Sequence, residues 1–398
     1  MFQEKLKGVL RDKRVALLYP LSEKIMSRNN LADWQIVRDV LSDLSSACSC
    51  VDYVSLDEFG ILGFLIRATS KIKPLKNNII LPDDKTNGVI FIFSLMVLKH
   101  LSLIDPFFRR QISQISDRYD FFIIFSPWFV NGISRSIRYS NCKLILYELN
   151  YEKKFLEYQL EGVPRVMKSI LLRLTANVDS EAIRQSLITC TISERDRMIL
   201  SQLHPSAAIG RYYPYTRIVQ RLSEKSEDLA IRDAIRGGNV EINLRDTVIT
   251  FIGSNSKVNV LSVKSIFRLS SLLANLSDAL KLIIIGEVYN AFLRSEATIP
   301  ENVIFTGYVE AIEPIMRRSD FFILFEFMTT GSEVKAKKFA DFAKPVIVVS
   351  NEKIDEYRDI LADFELRVSS IDQIIPIIVN YLLRKHEAER RHNGVFQN

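Results

Sequence analysis

The sequence of 398 residues predicts an α/β protein made of two parallel-sheet domains. Three observations carry that expectation. Short runs rich in β-branched and aromatic residues alternate with helix-spaced patterns along almost the whole length. Several of the runs, such as 121–125 and 282–285, are apolar throughout, as strands covered on both faces must be. The alternation breaks once, at 211–245, where charged residues crowd and Gly237, Gly238 and Asn239 give a turn signal. Two βαβ series joined by a linker amount to two Rossmann-like domains, with a ligand cleft expected between them.

The elements follow in order. Residues 15–19 read as the first strand, bounded by Arg14 and Pro20. Residues 31–44 have helix spacing, with Leu31, Trp34, Val37, Leu41 and Leu44 on one face. Strands are expected at 51–56, 121–125, 143–147 and 187–192, and helices at 152–174, broken near Gly162 and Pro164, and at 194–203. The second series places strands at 247–252, 281–285, 303–305, 321–325 and 346–349. Its helices fall at 260–276, 312–316 and 333–342, with a long closing helix at 371–390. The expected domains are therefore 1–210 and 246–370, a linker at 211–245, and a terminal helix and tail at 371–398.

Composition excludes several classes. Net charge is +6, a mild excess spread along the chain. It suits a phosphorylated ligand or an anionic membrane face, but no Lys/Arg block or zinc-finger spacing points to nucleic acid. Cys48, Cys50, Cys142 and Cys190 lack metal-ligand spacing, so a reduced cytoplasmic chain is expected, with no metal and no cofactor. Residues 1–13 carry no secretory pattern. The most apolar window, 89–98, is too short to span a bilayer and reads as a buried helix or an interfacial segment.

Ligands of open parallel sheets bind beyond the carboxyl ends of the strands. In the second series those ends hold Gly253, Ser254 and Asn255, then Gly286 and Glu287, then Gly307 and Tyr308, then Gly331 and Ser332 opening a helix. A glycine there lets backbone approach a ligand, and a helix N-terminus favours phosphate. Lys335, Lys337 and Lys338 add positive charge. Glu333 and Asp341 lie eight positions apart, on roughly one helix face with about 11 Å of rise between them. A glycine after a strand is also ordinary turn punctuation, and a lysine-rich helix is ordinarily a solvated face. Their coincidence on consecutive strand ends is what points to a ligand.

At these residues the chain resembles group 1 glycosyltransferases of the GT-B fold, the retaining, glycosyltransferase family 4-like enzymes. The resemblance rests on Phe251-Ile252-Gly253-Ser254 with Asn259-Val260, on Lys281 to Gly286, on Glu301 to Val309, on Arg318 to Leu324, and on Gly331 to Lys338 with Lys344-Pro345-Val346-Ile347. It implies a nucleotide-diphosphate sugar donor, with Glu333 near the transferred sugar as the catalytic acid residue and Asp341 on ribose. The family's basic helix residue falls on Lys337 or Lys338. The second acid is Asp where the family has Glu, and Ser254 stands where Arg is common. In the first half only Tyr147 to Glu152 and 187–196 resemble the family, which makes Glu148, Asn150 and Glu152 acceptor candidates.

The expectation is a hexosyltransferase-type, metal-independent enzyme that moves a sugar to a hydroxyl of a glycan or lipid-linked acceptor. Its partners would be the donor, the acceptor and a peripheral membrane contact at the inner face. A non-catalytic sugar-nucleotide-binding protein and a sugar-nucleotide epimerase of the same fold remain as alternatives. The four histidines, His100, His204, His386 and His392, offer no clear catalytic base.

Overall fold

Two sheets, each of six strands paired in parallel, organise the chain. The computed structural model describes residues 2–20, 32–59, 96–97, 99–149, 151–160, 163–213, 246–254, 257–274, 276–277, 279–289, 298–307, 309, 312–326, 332–350, 357–361 and 364–395. They fall into two compact units, Met1–Tyr215 and Thr216–Asn398. The stretch read as a linker lies outside the described residues from 214 onward. Arg211, Tyr212 and Tyr213 belong to the first unit, because the sheet's last strand ends at Arg211 and both tyrosines are buried.

The first unit runs α1 (Phe2–Leu10), β1 (Arg14–Tyr19), α2 (Ala32–Ser45), β2 (Cys50–Ser55), α3 (Pro106–Ser116), β3 (Phe121–Ile124), α4 (Pro127–Ser136), β4 (Lys143–Glu148), α5 (Glu152–Gln159), α6 (Arg165–Gln185), β5 (Ile188–Thr191), α7 (Glu194–Leu203) and β6 (Ile209–Arg211). The strand order is β2-β1-β3-β4-β5-β6. Local chemistry sets the helix starts. Asp105 accepts from the Phe107 and Phe108 amides with Pro106 at the first helical position, so α3 is capped before it begins. Ser193 accepts from the Asp196 amide and opens α7 in the same way.

The second unit runs β7 (Thr247–Ile252), α8 (Lys257–Leu273), β8 (Leu280–Ile285), β9 (Val303–Gly307), α9 (Glu313–Arg318), β10 (Phe321–Phe325), α10 (Ser332–Ala340), β11 (Val346–Val349), α11 (Arg358–Leu361), β12 (Glu365–Val368) and α12 (Ile374–Val395). Its order, β12-β11-β10-β7-β8-β9, is the doubly wound dinucleotide-binding order 3-2-1-4-5-6 read from the other edge. One face is covered by α8 and the start of α12, through Val263, Ile266, Leu269, Ile374 and Ile378. On the other, Phe339 of α10 stacks on Phe322 of β10 with ring centroids 4.5 Å apart. Each such fully buried side chain contributes about 1.5–3 kcal/mol.

The same lock recurs in both units. Asp120 precedes Phe121-Phe122-Ile123, and Asp320 precedes Phe321-Phe322-Ile323. Asp120 Oδ2 accepts from the Arg14 amide at 2.8 Å, and its own amide donates to the Arg14 carbonyl at 2.8 Å. Asp320 treats Val248 identically, at 2.8 Å in both directions. In each sheet the aspartate thus ties the amino end of the first strand to the strand entering beside it.

The differences from the sequence reading have local causes. α1 was not read, because 1–13 has no apolar run. Leu6 and Leu10 alone, one helical turn apart, suffice when a sheet supplies the rest of the contact. The helix expected at 152–174 with a break near Gly162 and Pro164 is two helices, as that break implies, but the second extends to Gln185. α3, α4, β6 and β12 were not read. β6 and β12 are three and four residues long, too short to show a period. Of the apolar window 89–98, only Met96 and Val97 are described, both helical.

Candidate functional site

The order of the second sheet reverses between β7 and β10, and a crevice for ligand opens beyond the carboxyl ends of such a strand pair. On its β7 side three glycines stitch consecutive loops together. The Gly253 amide donates to the Ile285 carbonyl at 2.8 Å, the Val288 amide to the Gly253 carbonyl at 3.2 Å, and the Gly286 amide to the Gly307 carbonyl at 2.7 Å. Gly286 has φ +111° and would place a Cβ 2.3 Å from the Gly253 carbonyl oxygen, so only glycine fits. Gly307 has φ +66°, with open space where a Cβ would point. Gly253 was read as leaving room for a ligand. The close approach it permits is to its own neighbours, because a Cβ there would lie 2.8 Å from the Phe251 ring.

Lys335 crosses this switch point. It sits in the first turns of α10, and its Nζ donates to Asn259 Oδ1 of α8 at 2.7 Å. Asn259 Nδ2 in turn donates to the Ser254 carbonyl at 2.9 Å and to Ser254 Oγ at 3.0 Å. The ammonium also lies 5.2 Å from the Phe251 ring centroid, within cation–π range. Burial pushes its pKa down to about 8. A half-buried cation beside the N-terminal turns of two helices whose dipoles point positive ends the same way is an arrangement that attracts an anion.

Residues 246–365 match the family of glycosyl transferases, group 1. The match includes Gly253, Ser254, Asn259, Gly286, Gly307 and Lys335. HepE from Anabaena, solved with UDP and glucose, is 12% identical, with 92% of this chain and 89% of that chain covered and a TM-score of 0.55. The same protein with UDP-glucose gives 12% identity, 94% and 91% coverage and a TM-score of 0.53. At such identity the likeness is one of fold, the GT-B fold of two Rossmann-like units. No curated protein sequence matches the chain.

Within the group 1 segment the remaining expected residues are dispersed. Ser254 and Glu287 are exposed on the loops after β7 and β8. Asn255, Tyr308 and Gly331 lie outside the described residues, as do the side chains of Ser332 and Glu333, whose backbone opens α10. Lys337 is buried and Lys338 exposed. Asp341 lies one residue past the end of α10, its amide still bonded to the Lys337 carbonyl at 3.2 Å, so it begins the turn back to β11. Lys344 of the Lys-Pro-Val-Ile motif donates to the Arg317 and Ser319 carbonyls and closes the C-terminus of α9.

Two residues without a specific role in the sequence reading stand out. Lys335 counted only as background charge, because nothing in a lysine-rich helix shows which lysine reaches across to a neighbouring helix. Glu326 follows the all-apolar β10 directly, is buried on the other side of the switch point, and accepts from Arg367 Nη1 at 3.2 Å. A lone carboxylate ending an apolar run was the available signal.

In the first unit, Glu148 ends β4 and Glu152 starts α5, both at the carboxyl edge of the sheet. Asn150 lies outside the described residues. Glu148 is 1% exposed, and neither carboxylate oxygen has a hydrogen-bond partner. Burial first, then Asp179, Glu152 and Asp196, raise its pKa well above the ordinary range, so it faces the interior as a neutral acid. Asp179 and Asp196 hold the start of α5 by accepting from the Lys153 and Tyr151 amides, each at 3.3 Å. Among the described residues no three His, Cys, Asp or Glu side chains are placed to hold a metal ion. His100 is exposed on a helix, and His204 Nε2 lies 3.4 Å from Ser180 Oγ.

Proposed function

We propose that the chain is a glycosyltransferase that takes a sugar from a nucleotide-diphosphate sugar held in the second unit and passes it to an acceptor hydroxyl. The observation that carries this reading is the Lys335–Asn259–Ser254 chain across the β7/β10 switch point, inside the segment that matches the group 1 family. A departing diphosphate gains negative charge, and a pre-oriented ammonium with helix N-termini stabilises that charge without reorganising. Lys335, Ser254 and the start of α8 are assigned to the diphosphate, Gly307 and Tyr308 to the base and ribose. Glu333, with Ser332 beside it at the helix start, is assigned to the sugar. Asp341 and Lys337 or Lys338 stay in the donor assignment only on the family resemblance, which is also the ground for retention and metal independence. Acceptor binding is assigned to the first unit at Glu152, with the neutral Glu148 behind it.

HepE was solved with UDP, so uridine diphosphate sugars come first in the test. In a thermal-shift series with uridine, guanosine, adenosine and thymidine diphosphate sugars, one base should raise the melting temperature. At a hundredfold excess over Kd the stabilisation is about 2.7 kcal/mol. Glu333→Gln should keep that shift and lose most transfer to a glycan acceptor. No shift with any donor would remove the reading; a shift without turnover of donor would leave a binding protein.

A further inference from the structure

We propose that helix α6 seats the first unit on an anionic membrane surface. The second half of α6 is core: Thr175, Val178, Asp179, Ala182 and Ile183 are buried. The first half does the opposite. Val166 is 74%, Ile170 55%, Met167 47% and Leu174 42% exposed. At helical spacing these four fall within an arc of about 100°, the width of a stripe that ordinarily faces a core. Four large apolar side chains exposed on one stripe are a binding surface rather than scattered surface residues.

Charge decides the occupant. Arg165 and Arg173 are exposed along one flank of the stripe and Lys168 lies on the other, while the helix has no acidic residue before Asp179. A second copy of this chain would set arginine against arginine, so the stripe is not self-complementary. The neighbouring α5 adds Lys153 and Lys154 against Glu152 and Glu157, with no net change of sign. Apolar residues that enter the headgroup layer, flanked by arginines that meet lipid phosphates, form the pattern of an interfacial helix. The N-terminus of α3 repeats it, with Ile104 70% and Phe107 64% exposed beside the exposed Arg109 and Arg110.

Both features lie at one edge. α3 precedes β3 and α6 precedes β5, and the two strands are parallel in one sheet, so both helix N-termini lie at its carboxyl edge. That edge is where an open parallel sheet binds ligand. No described helix is long and apolar enough to cross a membrane, so the contact is with the surface layer. The inference does not depend on the transferase reading.

The test is flotation of the full chain with vesicles of phosphatidylcholine alone and of phosphatidylcholine and phosphatidylglycerol in equal amounts. The chain should float with the anionic vesicles only. The double variant Val166→Asp/Ile170→Asp and the double variant Arg165→Glu/Arg173→Glu should each weaken binding by about tenfold or more. All six side chains concerned in the two pairs and the stripe are exposed, so melting temperatures should stay put. Donor-induced thermal shifts should also be unchanged in both, which keeps this result separate from that of the transferase assay. Absence of wild-type flotation, or equal flotation of either variant, would overturn the proposal. So would a dimer in analytical ultracentrifugation that Val166→Asp/Ile170→Asp dissolves, because the face would then join two copies.

Discussion

Lys335 Nζ lies 2.7 Å from Asn259 Oδ1, joining the first turns of α10 to those of α8 although 76 residues separate them in sequence. The contact places the cation where two helix N-termini meet and where a diphosphate is proposed to sit. Lys335→Gln keeps a polar group of similar reach and removes the charge. A charged hydrogen bond contributes about 1.5–3 kcal/mol, so donor affinity should fall roughly tenfold to a hundredfold in titration calorimetry. Unchanged affinity would place the diphosphate elsewhere.

Protonation gives a second expectation. Burial lowers the Lys335 pKa to about 8, so the free protein loses this charge as pH rises through that value. An anionic donor favours the protonated form. Donor binding should therefore take up a proton at pH 8–9, and affinity should weaken as pH rises from 7 to 9. Calorimetry in buffers of differing ionisation enthalpy reads the proton directly, and Lys335→Gln should abolish it.

Gly286 tests the loop stitching. Alanine there meets both a φ of +111° and a carbonyl oxygen 2.3 Å away. Gly286→Ala should destabilise the second unit by about 2 kcal/mol or more. Gly307→Ala, strained in φ but sterically open, should cost about 1–2 kcal/mol. Scanning calorimetry should show the larger loss for Gly286.

The paired aspartates make a symmetric prediction. Asp120→Ala and Asp320→Ala each remove the acceptor of one strand-end amide. Val248 is buried and its unit also loses the Tyr381 hydroxyl contact to Asp320, whereas Arg14 is exposed. Asp320→Ala should thus cost about 1–3 kcal/mol and Asp120→Ala less. Equal losses would count against burial as the cause.

Glu148 predicts a pH effect of definite sign. Its folded pKa is raised, so the folded chain holds a proton that the unfolded chain releases above about 4.5. Stability from this group is present in full below that value and declines as pH rises toward the folded pKa. Glu148→Gln should leave stability at pH 4 nearly unchanged and raise it by about 1 kcal/mol or more at pH 8. A variant whose pH–stability curve parallels the wild type would show that Glu148 ionises freely.

Much of the fold was legible because parallel strands covered on both faces must be apolar throughout. Residues 321–325 and 346–349 announce themselves by that demand, and the structure has strands over those same residues. Residues 194–203 were legible for a different reason: Ser193 and Asp196 cap a helix through neighbouring atoms alone. The strand-end glycines were legible as turns, and at Gly286 and Gly307 φ is positive, where glycine is the least strained residue. The candidate site was not legible as chemistry. Glu148 reads as an acceptor candidate, and nothing in its neighbours shows the burial that raises its pKa.

Periodicity, caps and turn residues act over a few positions, so the chain's own order of residues determined two doubly wound sheets and which loops crowd their carboxyl edges. Which lysine of α10 reaches Asn259, which carboxylate loses its water, and that the first half of α6 keeps an uncovered apolar stripe were decided by tertiary structure alone. Each depends on how much solvent neighbouring elements leave around one side chain, and those neighbours come from distant parts of the chain.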